Sequence, residues 1–240
     1  MTTIPFVRAP WRAVCFVVLA IGGLAGNAVG GPVPIVDQSY ETPGVTGNTI
    51  VAARFEGAQT FTVGVDGRLT SVDVNLGRQS ETVAPITLDI RRTHNGIPAE
   101  PNQGANILTS LTLPASAVPV SNGIDTQFVS FDVPDVAIHR GELLAIVLRT
   151  DAGPVFNEPN DIPFFWAADN DGHYAGGRAF ARGSDAAGPT WGDGDTFSLA
   201  DTDHEFRTHA VPLPPAVWSG LIVMAGGAAV RLRHRRRRIA

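Results

Sequence analysis

Cysteine and lysine are nearly missing from this sequence. Cys15 is the only cysteine in 240 residues, and it lies in an apolar N-terminal stretch that we predict to be removed from the mature chain. The mature domain therefore cannot form an internal disulfide. There is no lysine, so all 18 basic residues are arginine. The G-x-S-x-G, H-E-x-x-H and phosphate-loop motifs are absent too, which leaves no sequence sign of a catalytic centre.

Positive charge is scarce in the central part of the chain. Of the 18 basic residues, two lie before residue 31 and six after residue 210, whereas all 23 acidic residues lie between. The central part therefore holds ten basic residues against 23 acidic ones, a net charge of about −13. Such a surface argues against nucleic acid and anionic lipid as partners, because phosphate groups are bound by basic side chains.

The first 30 residues have the composition of a secretory signal peptide. Arg8 and Arg12 precede an apolar run over residues 13–24, and the small residues at 28–30 would form a cleavage site. We expect export through the Sec machinery and cleavage near Ala28 or Gly30. The predicted organisation is a signal peptide at 1–30, a lead-in at 31–57, one domain at 58–210 and a tail at 211–240.

The tail consists of a proline-rich motif, an apolar segment and a basic end. The apolar segment, residues 216–230, has about 15 residues, and a helix needs roughly 20 to span a bilayer. The arginines after it would stop transfer and hold the preceding chain outside. The predicted stop-transfer residues are Arg231, Arg233, Arg235, Arg236, Arg237 and Arg238.

These three parts, in this order, resemble the PEP-CTERM sorting signals of Gram-negative bacteria, in the subtype that reads Val-Pro-Leu-Pro-Ala before a Val-Trp pair. Two positions depart from the family pattern: Leu213 replaces the glutamate of the parent motif, and Pro215 replaces the subtype's alanine. The resemblance implies an exosortase that cuts near the motif, a transient stay in the inner membrane, and delivery to the cell surface or extracellular matrix. A plain C-terminal anchor is the alternative. The matching residues are Val211, Pro212, Leu213, Pro214, Val217 and Trp218.

The central part has the pattern of an all-β domain. Apolar residues alternate with polar ones in short runs, and residues 143–148 are continuously apolar, as in a strand that is covered on both faces. Asp66-Gly67 predicts a hairpin turn, and Asn95-Gly96-Ile97-Pro98 breaks the strand that begins at Ile86. We predict a single antiparallel β-sandwich, jelly-roll-like, with about nine strands. The predicted strands cover residues 59–65, 72–76, 86–91, 107–113, 128–133, 143–148, 162–168, 177–182 and 205–210.

Several short pieces of this domain, taken in their order along the chain, also resemble the surface β-sandwich modules known as choice-of-anchor domains. That resemblance implies a surface or matrix role and assigns no catalytic residue. The pieces lie at residues 58–63, 141–148, 165–166, 174–177, 191 and 203–208.

Aspartates concentrate between residues 157 and 203 and suggest calcium as a cofactor. Calcium takes six to eight oxygen ligands, and loops between strands can supply them. The candidate ligands are Asp169, Asp171, Asp193 and Asp195. Their spacing does not form an EF-hand loop, and solvated aspartates that make turns are the alternative.

Trp166, Tyr174 and Trp191 are the candidate ligand-binding aromatics, because exposed rings beside carboxylates can stack on sugars. The alternative is that they belong to the core. The leading functional hypothesis is a structural or adhesive, non-enzymatic protein that contacts extracellular polysaccharide in a biofilm. The second is a carbohydrate-binding module, with or without calcium, and a glycan hydrolase is the third.

Overall fold

The structure is a computed structural model that describes residues 33–213, except 43, 45, 54, 101–105, 151–163, 173, 184–190 and 192–200. All of these residues fall within one compact unit, Pro32–Ala240. The predicted signal peptide and the tail from Pro214 onward lie outside the described residues. Among the described residues, no helix has the length and apolarity needed to cross a bilayer.

The described part of the chain is built from β-strands, with a single turn of 3-10 helix at Ala115–Ala117. The strands are β1 Ile35–Tyr40, β2 Gly47–Val51, β3 Phe55–Thr62, β4 Gly67–Arg78, β5 Ile86–His94, β6 Ile97–Pro98, β7 Ile107–Leu113, β8 Gln127–Ile138, β9 Leu143–Arg149, β10 Phe164–Asp169, β11 Ala179–Gly183, β12 Asp203–His204 and β13 Phe206–Pro212.

These strands form two sheets with antiparallel ladders. In sheet A, β4 lies between β8 and β13, β1 pairs with β13, and β10 pairs with β4, β2 and β12. In sheet B the order is β11-β3-β9-β5, with β6 and β7 both paired to β5. The predicted all-β sandwich is confirmed.

Strand pairs follow a nested order along the chain. β5 pairs with β7, β4 with β8, β3 with β9 and β2 with β10. The middle of the chain therefore behaves as one long hairpin folded over into two sheets. At its apex, Asn95 and Gly96 have φ values of 52° and 79° and connect β5 to β6. Positive φ at both positions is what a type I′ turn requires.

Alternating apolar residues form the core as the sequence predicts. Val72, Val74 and Leu76 of β4 and the alternating residues of β5 have no solvent exposure. β9 is covered on both faces: Leu144, Ile146 and Leu148 pack between the sheets, whereas Ala145 and Val147 join a second cluster on the outer face of sheet B with Ala58, Phe180 and Trp191.

The predicted lead-in differs from the structure. Residues 31–57 contain β1 and β2, and β1 pairs with β13 from Ile35 opposite Ala210 to Tyr40 opposite Phe206. The sandwich therefore begins at β1, and it ends at Pro212 rather than at residue 210. Short edge strands with a mixed polar sequence such as β1 carry little periodic signal of their own, because partners distant in sequence stabilise them.

The predicted hairpin at Asp66-Gly67 is wrong. β3 belongs to sheet B and β4 to sheet A, so the chain crosses between the sheets at this point. The glycine is required for a different reason: a Cβ on Gly67 would lie 2.3 Å from the carbonyl oxygen of Val211. The residue allows β4 and β13 to approach closely, as glycine does when two backbones meet.

Glu205 lies between β12 and β13 and connects them to two other strands of sheet A. Its backbone N–H donates to the carbonyl of Ala167 in β10, and its carbonyl accepts from the N–H of Asn75 in β4. The buried Glu205 carboxylate accepts hydrogen bonds from the Asn75 amide at 2.7 Å and from Thr42. These contacts join three strands at the position where β12 gives way to β13.

Candidate functional site

Trp166 is a core residue. Its side chain has no solvent exposure, the indole Nε1 donates to the Glu205 carbonyl at 3.0 Å, and the ring stacks on His204 with centroids 4.3 Å apart. Both faces of the indole are therefore enclosed by protein. The prediction that Trp166 offers an exposed face to a sugar is wrong, because β10 places this side chain between the two sheets.

Trp191 also lies in a buried position, on the opposite side of sheet B from Trp166. Only 7% of it is exposed, and it packs in the outer-face cluster that includes Phe180. The guanidinium of Arg182 sits 4.9 Å from the indole centroid, within the range of a cation–π contact. The two tryptophans therefore do not share a ligand surface.

Tyr174 is the member of this trio that reaches a surface cleft. Its ring packs edge-on against Phe206 at 5.3 Å and lies 5.8 Å from Tyr40, and its hydroxyl donates to Gln38 Oε1 at 3.0 Å. Burial, with the nearby carboxylates of Asp37 and Asp203, raises the pKa of Tyr174 above its ordinary value. The phenol therefore stays protonated and remains a hydrogen-bond donor.

The cleft beside Tyr174 has a volume of about 290 Å³. Two short segments form it, one running from Gly172 to Arg178 and the other leading into β12. Its size is at the lower limit of ordinary ligand pockets, which have roughly 300–1,000 Å³. The lining residues are Gly172, Tyr174, Ala175, Gly177, Arg178, Asp201, Thr202 and Asp203.

Two glycines let these segments pack closely. A Cβ on Gly172 would lie 2.4 Å from the backbone nitrogen of Asp203, and one on Gly177 would lie 1.9 Å from the carbonyl oxygen of Thr60. Contacts that short are not possible for a larger residue without movement of the backbone. The Tyr-Ala-Gly-Gly sequence at 174–177 therefore reflects close packing against β3.

Hydrogen bonds of the Asp203 carboxylate connect the wall of the cleft to sheet B. Its Oδ1 accepts from Gln59 Nε2 at 3.0 Å, and its Oδ2 accepts from the Tyr174 backbone N–H at 2.9 Å. The neighbouring Thr202 is buried, and its hydroxyl has no hydrogen-bond partner within the described part of the chain. Asp201 and Arg178 also line the cleft, and the Arg178 guanidinium lies 4.9 Å from the Phe180 ring centroid. The polar groups of these lining residues can donate and accept hydrogen bonds.

Of the four predicted calcium ligands, two are described. Asp169 Oδ1 accepts from Thr46 Oγ1 at 2.9 Å and from the Asp171 N–H at 3.1 Å, and its Oδ2 accepts from the Tyr40 hydroxyl at 2.9 Å. Protein donors thus satisfy both oxygens of Asp169. Across the described residues, no three of His, Cys, Asp and Glu come together as a metal site would require. Asp193 and Asp195 lie outside them.

Two buried polar clusters were missed by the sequence analysis. In β5, Asp89 and Arg91 are buried on the outer face of sheet B, where Ser110 and the partly exposed Arg149 contact them. An acid and a base two positions apart on one strand lie on the same face, so the spacing of Asp89 and Arg91 is the feature of the sequence that could have predicted this cluster.

The second cluster is centred on His204. This residue is fully buried, burial lowers its pKa to about 3, and its Nε2 lies 2.7 Å from Thr49 Oγ1.

The described part of the predicted sorting motif continues the last strand. Val211 and Pro212 belong to β13, and the N–H of Leu213 donates to the Asp66 carbonyl at 3.0 Å. The remaining motif residues, Pro214 and Pro215, and the arginine cluster lie outside the described residues.

Comparison with protein-family models and with curated proteins gives no match to the chain.

Proposed function

We propose that this chain is an exported protein of the cell surface or extracellular matrix, with a structural or adhesive role in exopolysaccharide or biofilm. The observation that carries the proposal is the β1–β13 ladder, in which Ile35 at the start of β1 lies opposite Ala210 near the end of β13. A predicted leader and a predicted sorting tail would then leave the sandwich at the same end. That arrangement suits a domain whose two flanking segments engage one membrane during export.

The nested strand pairing supports the finer part of the fold prediction, a jelly-roll-like sandwich. Folds of this kind host many functions, so the architecture alone assigns none. A displayed scaffold needs a stable sandwich and an accessible outer surface, and it needs no catalytic residue. The resemblance to choice-of-anchor modules points to the same non-enzymatic role.

The position of the motif supports exosortase processing. β13 ends at Pro212, and Leu213 is the last described residue that is hydrogen-bonded to the sandwich. A cut at Pro214 or Pro215 would therefore leave the strands and their ladders complete. The measurement is mass spectrometry of the C-terminus in protein released from the cell surface. We expect a terminus within residues 212–215, and surface protein that still contains Trp218 would contradict processing.

A second candidate function is carbohydrate binding at the cleft beside Tyr174. The specific observation is the combination of an aromatic ring with Asp201, Thr202 and Arg178 in one concave surface. Sugar hydroxyls both donate and accept hydrogen bonds, as this lining does. Asp171, Asp193 and Asp195 are then the remaining candidates for a calcium contribution.

This binding is tested by retention of residues 31–213 on the host exopolysaccharide, with and without a calcium chelator. Asp201→Asn and Arg178→Gln should each weaken retention, whereas Glu81→Gln, an exposed change far from the cleft, should not. Retention that survives both cleft variants would place the glycan elsewhere. Retention that is indifferent to the chelator would remove calcium from the proposal.

A further inference from the structure

Four exposed apolar side chains lie at the end of the sandwich where the tail begins. Val33, Ile35, Val36 and Leu213 are 76%, 43%, 53% and 41% exposed, and we refer to them as the proximal patch. Because Ile35 pairs with Ala210, the start of β1 and the end of β13 lie side by side, about 4.8 Å apart as neighbouring strands. The N-terminal and C-terminal ends of the folded chain therefore both contribute to the patch, which extends onto both faces of sheet A because the successive residues Ile35 and Val36 project from opposite faces of β1.

The chain leaves the sandwich immediately next to this patch. The Leu213 N–H is still bonded to Asp66, and the apolar segment of the tail begins at Ala216. Three residues span at most about 10 Å even when fully extended. If the apolar segment enters a bilayer, Leu213 must lie within about that distance of the membrane surface, and the start of β1 lies on the neighbouring strand.

We propose that the proximal patch docks the sandwich on the lipid surface while the tail is inserted. This inference rests on the proposed membrane stage of the function. Apolar side chains at a membrane interface are stabilised by burial among the acyl chains and headgroups. Since the domain is strongly acidic, apolar contact rather than attraction to anionic lipid provides the docking.

Docking at this end leaves the candidate ligand cleft in water. Tyr174 packs on Phe206, the first residue of β13, and the tail leaves after Pro212, the last. Seven residues of strand span roughly 20 Å. The cleft and the membrane contact are therefore separate surfaces, and both can be used at once.

The test uses residues 31–240, which contain no cysteine, reconstituted in phosphatidylcholine vesicles. Single cysteines that carry an environment-sensitive fluorophore are placed at Val36→Cys in the patch, at Val83→Cys as an exposed apolar control at the other end of β4, and at Ser219→Cys in the tail. Val83 is 90% exposed and lies in the loop after β4. Quenching by aqueous iodide and by spin-labelled lipid is then compared between the three positions.

We expect the probe at position 36 to show a several-fold lower iodide quenching constant than the probe at position 83, and quenching by lipid that approaches that of position 219. Equal iodide access at positions 36 and 83, with position 219 protected, would overturn docking while leaving tail insertion intact. Iodide access at position 219 would overturn the membrane stage itself, and docking with it.

Discussion

Arg91 donates two hydrogen bonds to Asp89, from Nε at 3.1 Å and from Nη2 at 2.6 Å, and neither side chain is exposed to solvent. Arg149 adds a third donor to the same carboxylate. Burial alone would raise the pKa of Asp89, but the hydrogen bonds from Ser110, Arg91 and Arg149 outweigh burial and lower it. The Asp89 carboxylate therefore stays ionised beside Arg91 on the outer face of sheet B.

Asp89→Asn should destabilise the domain by about 3 kcal/mol, because it leaves the buried Arg91 with only the Glu56 carboxylate, 3.9 Å away, as a counter-charge. Urea unfolding at pH 7 measures this. The exposed pair of Arg207 and Glu41 provides the control, since its side chains are 34% and 41% exposed. Glu41→Gln should cost less than about 1 kcal/mol. Equal effects would show that the Asp89 pair is as solvated as the control.

His204→Gln should make the free energy of unfolding fall less steeply as the pH is lowered below about 6.5. The folded pKa of His204 is about 3, against roughly 6.5 in an unfolded chain. The stability that comes from a neutral His204 is fully present above pH 6.5 and is lost as the pH falls toward 3. Between those values the unfolded chain binds one more proton than the folded chain, which costs about 1 kcal/mol per pH unit. Urea unfolding from pH 7 to 4 should show a shallower decline in the variant, and an unchanged decline would contradict the buried neutral imidazole.

Gly177→Ala should lower stability and alter the cleft. The added Cβ would meet the Thr60 carbonyl oxygen at 1.9 Å, and overpacking of this kind costs about 1–3 kcal/mol. Gly44→Ala is the matched control, because a Cβ there meets nothing within 4 Å. Thermal unfolding should show a lower midpoint for Gly177→Ala, whereas Gly44→Ala stays near the parent. A parent-like midpoint for Gly177→Ala would contradict the close packing of residues 174–177 on β3.

Trp191→Ala should act through packing rather than through ligand contact. Truncation of a buried tryptophan costs about 3–5 kcal/mol, and Trp191 anchors the outer-face cluster with Phe180. Val83→Ala, at a 90% exposed position, should stay within about 0.5 kcal/mol. Denaturant unfolding distinguishes the two variants. A stable Trp191→Ala variant that had lost exopolysaccharide retention would instead restore Trp191 as a binding residue.

Strand positions with a strong period of two were predicted well. β4, β5, β8 and β9 were found, because each buries one regular face or, in β9, both faces. β7 was also found, although its side chains are only partly buried. β1 and β2 were not found, since each is short and is stabilised by a partner far away in the sequence. The candidate site was predicted less well. Of its three aromatics, only Tyr174 lines the cleft, because residue type alone does not tell a core tryptophan from an exposed one.

Local sequence was sufficient for the β class, for the end of β5 at Asn95-Gly96 and for the inward residues of the long strands. These depend on φ preference and on burial of alternate side chains, and both are properties of neighbouring residues. Pairing between distant strands decided the remaining features. Because of this pairing, the chain crosses between the sheets at Asp66-Gly67, and the start of β1 lies beside the end of β13. The same pairing buries Asp89 with Arg91 and encloses Trp166. No short stretch contains that information, because each of these environments is made by a strand from another part of the chain.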